Sequence, residues 1–336
     1  MTGPTAPQLR VLPGEGNGSG PRTGVWLFPD RPASELVRLI VLAEELGLDE
    51  VWVGDEGPAR EPFTVLAAAA AATSRIRLAV GVTNPYLRTP ALVATTMLTV
   101  HELSGGRAVL GVGAGGSLSL APFEVRAHRP VERIRHFLEL ADAVAEGRPA
   151  PGYRPTATAI RAVGPPVPIF VGARGPRLNQ LASELADGAF VSGLPPFRYR
   201  EVIGWARSVR PIEIALYPSV AFGPEAREHL RPDLVHALAD SPAGVRSRLG
   251  VSEADLGAAV EALAAGDREP ARALVTDSLQ EQLMLVGGPD DVGQRLAALV
   301  REHQPDSIGL AVIQPDMEDG LRQAARALTV MKRLAV

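Results

Sequence analysis

The sequence predicts an α/β protein of the (β/α)8 TIM-barrel class with a helical insertion after strand seven. Three observations carry that prediction. Short β-branched and aliphatic runs alternate with longer segments of helical period; eight such strand-like runs occur; and the alternation is interrupted once, between Pro224 and Gln280. Repeated βα units build a parallel barrel, whose ligand site lies at the C-terminal ends of the strands. A chain of 336 residues suits one such domain.

The elements follow in order. Val25–Phe28 reads as the first strand, and Ser34 is expected to cap a helix in which Leu36, Leu39, Ile40, Ala43 and Leu46 keep the helical period until Gly47 stops it. Glu50–Gly54 is a strand, Phe63–Ala72 a helix and Ile76–Val82 a strand. Ala91–Leu103 and Val131–Glu146 are helices on either side of the strand Ala108–Val112. Val167–Val171, Ala189–Ser192 and Ile212–Val220 are strands five to seven, separated by helices Pro176–Ala186 and Arg198–Val209. Helix Val292–Glu302 and strand Ser307–Ile313 close the pattern. The interval from Pro224 to Gln280, mostly Ala, Leu, Arg and Glu, reads as extra helices at the place where barrels carry lids. Ala121–Pro130 and the proline-rich Gly147–Pro168 are longer loops.

Composition excludes several functions. With 34 basic against 38 acidic residues the formal charge is −4, and no Lys/Arg cluster marks one helix face, so no nucleic-acid footprint is present. The absence of cysteine removes disulfides, thiolate ligands and a cysteine nucleophile, and leaves the redox compartment open. The six histidines, His101, His128, His136, His229, His236 and His303, form no metal spacing. Met1–Arg22 is rich in Gly and Pro and lacks the basic start and apolar core of a signal peptide, so residues 1–23 are expected to be a disordered tail, with a single domain over 24–336 and a cytoplasmic location. The Ala-rich stretch Val65–Ala72 falls short of the roughly 18 apolar residues of a membrane span. A small-molecule substrate is the expected partner, and the oligomeric state is open, a homodimer included.

The run from Arg75 to Pro85 is the most informative local string: a buried strand ends in Gly81 and then a Thr83-Asn84-Pro85 turn. Glycine at a strand end lets another group come close, which is how a barrel mouth presents backbone to a ligand. Together with Val51-Trp52-Val53-Gly54-Asp55, Leu103-Ser104-Gly105-Gly106-Arg107-Ala108, Gly111-Val112-Gly113 and Val171-Gly172-Ala173-Arg174-Gly175-Pro176, this string resembles the bacterial-luciferase-like superfamily. Within that superfamily the chain is similar to the F420-dependent branch, which includes methylene-tetrahydromethanopterin reductase. The resemblance spans about Gly24 to Arg333. It implies a barrel that binds a deazaflavin and transfers hydride to or from an organic substrate.

The resemblance also implies roles for residues. It places a non-proline cis peptide at Gly81–Val82, against one face of the coenzyme ring, with Thr83, Asn84 and Gly113 beside it. Asp55 matches an acid near the coenzyme, although an Asp at a βα junction also caps helices. Gly172, Ala173, Arg174, Gly175 and Pro176 match a phosphate-binding loop, and Ser192 a hydroxyl on the same phosphate. Free amides at a helix N-terminus form an anion site, and Arg174 or Arg177 can add charge, while the plainer reading is a tight turn with solvated arginines. Phe28, Asp55 and Asn84 are expected in the pocket wall. Family members that oxidise sugar phosphates carry a His and a Glu where this chain has Glu56 and Gly116. Glu56 is therefore a candidate proton donor beside Asp55, because a shielded carboxyl can have a raised pKa; a solvated glutamate is the alternative.

The reading is an F420-dependent oxidoreductase. Its alternatives are an FMN-dependent two-component monooxygenase on the same fold and a barrel that only binds a ligand. Gly111-Val112-Gly113-Ala114-Gly115-Gly116 also satisfies G-x-G-x-x-G, but lacks the acid at the end of a following strand that a dinucleotide fold requires.

Overall fold

The computed structural model describes residues 20–161 and 164–335. The expected tail lies outside the described residues as far as residue 19, and the first strand starts two residues inside its stated boundary, at Arg22. The chain runs β1 (Arg22–Leu27), α1 (Ala33–Glu45), β2 (Glu50–Val53), α2 (Pro62–Ala72), β3 (Arg77–Thr83), α3 (Pro90–Leu103) and β4 (Ala108–Gly113). It continues through α4 (Ser117–Leu120), α5 (Pro130–Glu146), β5 (Ile169–Gly172), α6 (Pro176–Leu185), β6 (Gly188–Ser192), α7 (Tyr199–Ala206), β7 (Glu213–Tyr217) and β8 (Ser219–Ala221). Then come α8 (Gly223–Leu230), α9 (Leu234–Ala239), α10 (Ala243–Arg248), α11 (Glu253–Ala264), α12 (Glu269–Leu274) and α13 (Asp277–Leu283). The chain ends with β9 (Leu285–Val286), α14 (Pro289–His303), β10 (Ser307–Val312) and α15 (Met317–Leu334).

β1 to β7 pair in sequence order, all parallel; β10 pairs with both β7 and β1, and the barrel closes. Both faces of these strands are covered, which is why they read as unbroken apolar runs rather than alternating ones. Four expectations need correction. Ile212–Val220 is not one strand: Pro218, which has no N–H for a ladder, separates β7 from β8, and its carbonyl still accepts from Ala311 N at 2.9 Å. β9 was not foreseen, because two residues carry no period. The helix α15, which buries Met317, Leu321, Ala324, Leu328 and Met331, also went unread. Ser34 does not cap α1; Pro32 holds the cap position without a side-chain hydrogen bond, and Ser34 lies inside the first turn.

The barrel interior is charged at its base. Glu50 is buried, and its Oε1 accepts from Trp52 Nε1 (2.9 Å), Tyr217 Oη (2.7 Å) and Ser307 Oγ (2.5 Å), while Oε2 pairs with Arg22 Nε (3.2 Å) and Arg77 Nη1 (3.4 Å). Burial alone would raise this carboxyl's pKa. Arg77, Arg22 and the hydrogen bonds outweigh it and hold the value at about 2. Above this layer Trp52 stacks on Phe190 (centroids 4.4 Å) and meets Phe170 edge-on (5.5 Å), with Ala79, Val109 and Ala215 filling the remaining room. The helices from 223 to 283 pack round their own apolar cluster, including Leu230, Val235, Leu238 and Leu283.

Replacing Glu50 by Gln removes the carboxylate that Arg77 and Arg22 share, and losing one member of a buried ionic cluster costs about 3–5 kcal/mol in comparable sites. The native carboxyl has a depressed pKa, so its contribution is present above the ordinary value of 4.5 and is lost as pH falls from there toward 2. Urea unfolding should therefore show Glu50→Gln strongly destabilised at pH 7 and the gap to wild type narrowing through the acid range. A gap independent of pH would contradict this assignment.

Candidate active site

The C-terminal ends of the strands bring most of the expected residues into one mouth. Asp55, two residues past β2, is buried and accepts from Thr83 Oγ1 at 2.6 Å and from Arg88 Nε and Nη2 at 3.0 and 3.3 Å. It does not cap α2; that cap is Glu61, whose carboxylate accepts from Phe63 N and Thr64 N and also pairs with Arg88 at 3.2 Å. Thr83 ends β3, and Arg88 follows the turn that Asn84 makes by accepting from the Tyr86 and Leu87 amides. The Asn84 carbonyl oxygen is thus spent on the loop. Asp55 is fixed by charge-assisted bonds from two sides.

Glu56 is half-buried. Its Oε2 lies 3.0 Å from Ser119 Oγ, which is also 3.3 Å from the Asp55 carbonyl oxygen. Burial raises the Glu56 pKa; the hydrogen bond to Ser119 works against this, Asp55 and Asp240 add to it, and Arg174 opposes it. The Ser119 hydroxyl is the donor here, within reach of both Glu56 Oε2 and the Asp55 carbonyl oxygen.

The Gly81–Val82 peptide is cis, as the resemblance implies, and the β3–β4 register shifts between Val80 and Thr83. The close approach that Gly81 permits is made by the barrel itself. A Cβ there would lie 2.7 Å from Trp52 Cε3, and the Gly81 carbonyl accepts from Trp26 Nε1 at 2.5 Å. The space over Gly113 and Gly172 is likewise filled: a Cβ on either would come within 2.8 and 3.0 Å of the Val82 methyls. These glycines exist to seat Val82. Phe28 lies just past β1, half-buried against Trp26 with centroids 6.0 Å apart.

Helix α6 opens at Gly175 and Pro176 with no side-chain cap, and a Cβ on Gly175 would meet nothing within 4 Å. The first-turn amides thus have no side-chain cap, and the space beside Gly175 is open. Asn179 Nδ2 donates to the carbonyls of Ala173 (3.2 Å) and Gly175 (2.8 Å) and sets the loop. Arg198 donates to the Arg174 carbonyl at 3.3 Å, and Arg174 Nη2 lies beside Gly193, next to Ser192 at the end of β6. Arg174 also donates to the Ala237 carbonyl at 3.2 Å, so its guanidinium is shared with the helical insertion. The expected Gly111–Gly116 string opens only the four-residue α4.

Arg88, Ser119, Asn179 and Asp240 contact the expected residues at this mouth, Glu61 pairs with Arg88, and none of the five was foreseen. Only Glu61, an acidic residue just before a proline-led helix, left a sequence signal.

Residues 11–304 match the luciferase-like monooxygenase family, and the chain belongs to it. Among curated relatives it is 30% identical to a 5,10-methylenetetrahydromethanopterin reductase of Archaeoglobus fulgidus, covering 89% of this chain and 96% of that one. It is 33% identical to an F420-dependent glucose-6-phosphate dehydrogenase of Nakamurella multipartita over 51% of this chain and 56% of the relative. The structure of the coenzyme F420-dependent tetrahydromethanopterin reductase of Methanopyrus kandleri superposes with a TM-score of 0.77 at 25% identity, covering 91% of this chain and 98% of the other.

The Val82 seat makes a testable demand. Gly113→Ala should destabilise the protein by about 1–3 kcal/mol, as overpacking does, and should cost less in a Val82→Ala background, whereas Gly175→Ala should be nearly neutral. Thermal unfolding of the four variants measures the coupling; additive losses at 113 and 82 would contradict the packing described.

Proposed function

We propose that this protein is an F420-dependent oxidoreductase that transfers hydride between the deazaflavin and a small organic substrate. The observation that carries the reading is the pairing, at one barrel mouth, of an uncapped helix N-terminus flanked by arginines with a shielded carboxyl beside a fixed carboxylate. Relatives and the superposed reductase bear names that specify F420. The chain's own residues fit such a coenzyme. The α6 amides, with Arg174, Arg198 and Ser192 nearby, would hold its phosphate, and Val82, Thr83 and Asp55 would border its ring.

When bound, the coenzyme supplies the hydride-carrying ring carbon. The protein positions, excludes water and manages a proton. Asp55, clamped by Thr83 and Arg88, keeps its carboxyl group in place. Glu56, whose burial makes it hold a proton more tightly than an ordinary carboxyl, exchanges that proton with the substrate oxygen or nitrogen as hydride moves. The helices from 223 to 283 reach the loops after β4 and β5 through Asp240 and Ala237, which sets them beside the mouth as its cover.

Titration of the purified protein, followed by coenzyme absorbance and fluorescence, should show F420 bound in preference to FMN. Tight FMN binding without F420 binding would overturn the reading. Gly175→Asp places a like charge at the anion site without a steric conflict and should weaken F420 binding by about tenfold or more, with the melting temperature unchanged. Unchanged affinity would move the phosphate elsewhere.

A further inference from the structure

We propose that Asp240, carried by the insertion and not by a barrel strand, is a positioning residue of the active site: it anchors α4, and through α4 fixes Ser119 against Glu56. The inference rests on the function proposed above for Glu56. Asp240 follows α9, and its two carboxylate oxygens accept from Ser117 N at 3.1 and 3.3 Å, at the start of α4. Two residues further along the same four-residue helix, Ser119 Oγ meets Glu56 Oε2 at 3.0 Å. A helix of one turn has almost no stability of its own, so its placement depends on what holds its ends.

The space agrees with that assignment. A Cβ on Gly116 would lie 2.6 Å from Asp240 Oδ2, so position 116 is bare where the insertion brings its carboxylate in. The other side of α4 is equally close: a Cβ on Gly57 would lie 2.6 Å from the Leu118 carbonyl oxygen. The helix is thus held between the loop that carries Glu56 and the insertion that carries Asp240. Ser117 Oγ, buried beside this contact, has no hydrogen-bond partner.

The charges form one group. Glu56 faces Ser119 of α4, Asp55 with its partner Arg88, Asp240 of the insertion, and Arg174 of the β5 loop, whose Nη1 is 3.9 Å from Asp240 Oδ2. Asp240 therefore brings a carboxylate of the insertion to both the β4 loop, at Ser117, and the β5 loop, at Arg174. It also adds negative charge near Glu56, which favours the protonated carboxyl.

Asp240→Ala and Asp240→Asn in the full chain test this with two readouts that need no substrate. Limited proteolysis reports whether the insertion is held down. The infrared carbonyl band that Glu56→Gln removes reports Glu56 protonation against pH. Asp240→Ala should be cut several-fold faster within residues 223–283, and its Glu56, which loses the Ser119 hydrogen bond together with the Asp240 charge, should keep its proton to a higher pH than in Asp240→Asn. Asp240→Asn keeps an acceptor for Ser117 N but not the charge, so it should resist protease like wild type while Glu56 titrates lower. Circular dichroism checks the fold; if Asp240→Ala does not fold, the Asn variant carries the titration. Wild-type protease resistance in Asp240→Ala, or a wild-type Glu56 titration in Asp240→Asn, overturns the proposal. An F420 titration of wild type runs beside these assays, and its failure would count against the oxidoreductase reading alone.

Discussion

Burying one carboxylate inside the barrel is the constraint from which the rest of the structure follows. Glu50 is bonded to residues of β1, β3, β7 and β10 as well as to Trp52 on its own strand, so a single side chain reaches five of the eight strands, including those at the closing seam. A charge in that position costs several kcal/mol unless it is paired and its lone pairs are filled, and here both oxygens are. Arg22 is held in turn by Glu213 on β7 at 2.5 Å. The base of the barrel is therefore polar and tied together through both oxygens of Glu50.

The same bond is transmitted upward. Trp52 Nε1 donates to Glu50, which orients the indole; its ring lies under Gly81, so only a glycine fits there, and Trp26 donates to the Gly81 carbonyl. The end of β3 is thus placed by contacts that begin at the base. Val82 then packs into the recess formed by Gly111, Gly113 and Gly172, and Thr83 reaches Asp55. Preorganisation of the mouth is a matter of rigid contacts running the length of the barrel, which is what a site that must orient a coenzyme and a substrate needs.

The strands were legible because both-sided burial writes them as apolar runs bounded by Gly, Pro and Asn, and the helices because one face keeps the 3.6-residue period. That reading fails where the physics is not periodic: Pro218 divides one apparent strand, and β9 is two residues long. Asp55, Glu56, Thr83 and the α6 N-terminus could be found because they sit at strand and helix ends, where a barrel must place its chemistry. Their partners could not. Arg88, Ser119 and Asp240 reach the site across 33, 63 and 123 residues of chain respectively, and nothing local marks a side chain whose role is set by what folds against it. The glycines illustrate the same limit: sequence shows that Gly81, Gly113 and Gly172 admit a close neighbour, and only the structure shows that the neighbours are Trp52 and Val82.

The proposed function requires the two ends of the mouth to act together, with an anion held at α6 and a ring held near Val82 and Asp55. A crystal structure of the protein with F420 bound tests this most directly. The phosphate should lie within hydrogen-bond distance of the amides that follow Gly175, and the deazaflavin should lie against the Gly81–Val82 peptide with Glu56 on the substrate side. Coenzyme density elsewhere, such as the open cleft between Arg31 and Arg322 at the starts of α1 and α15, would contradict it.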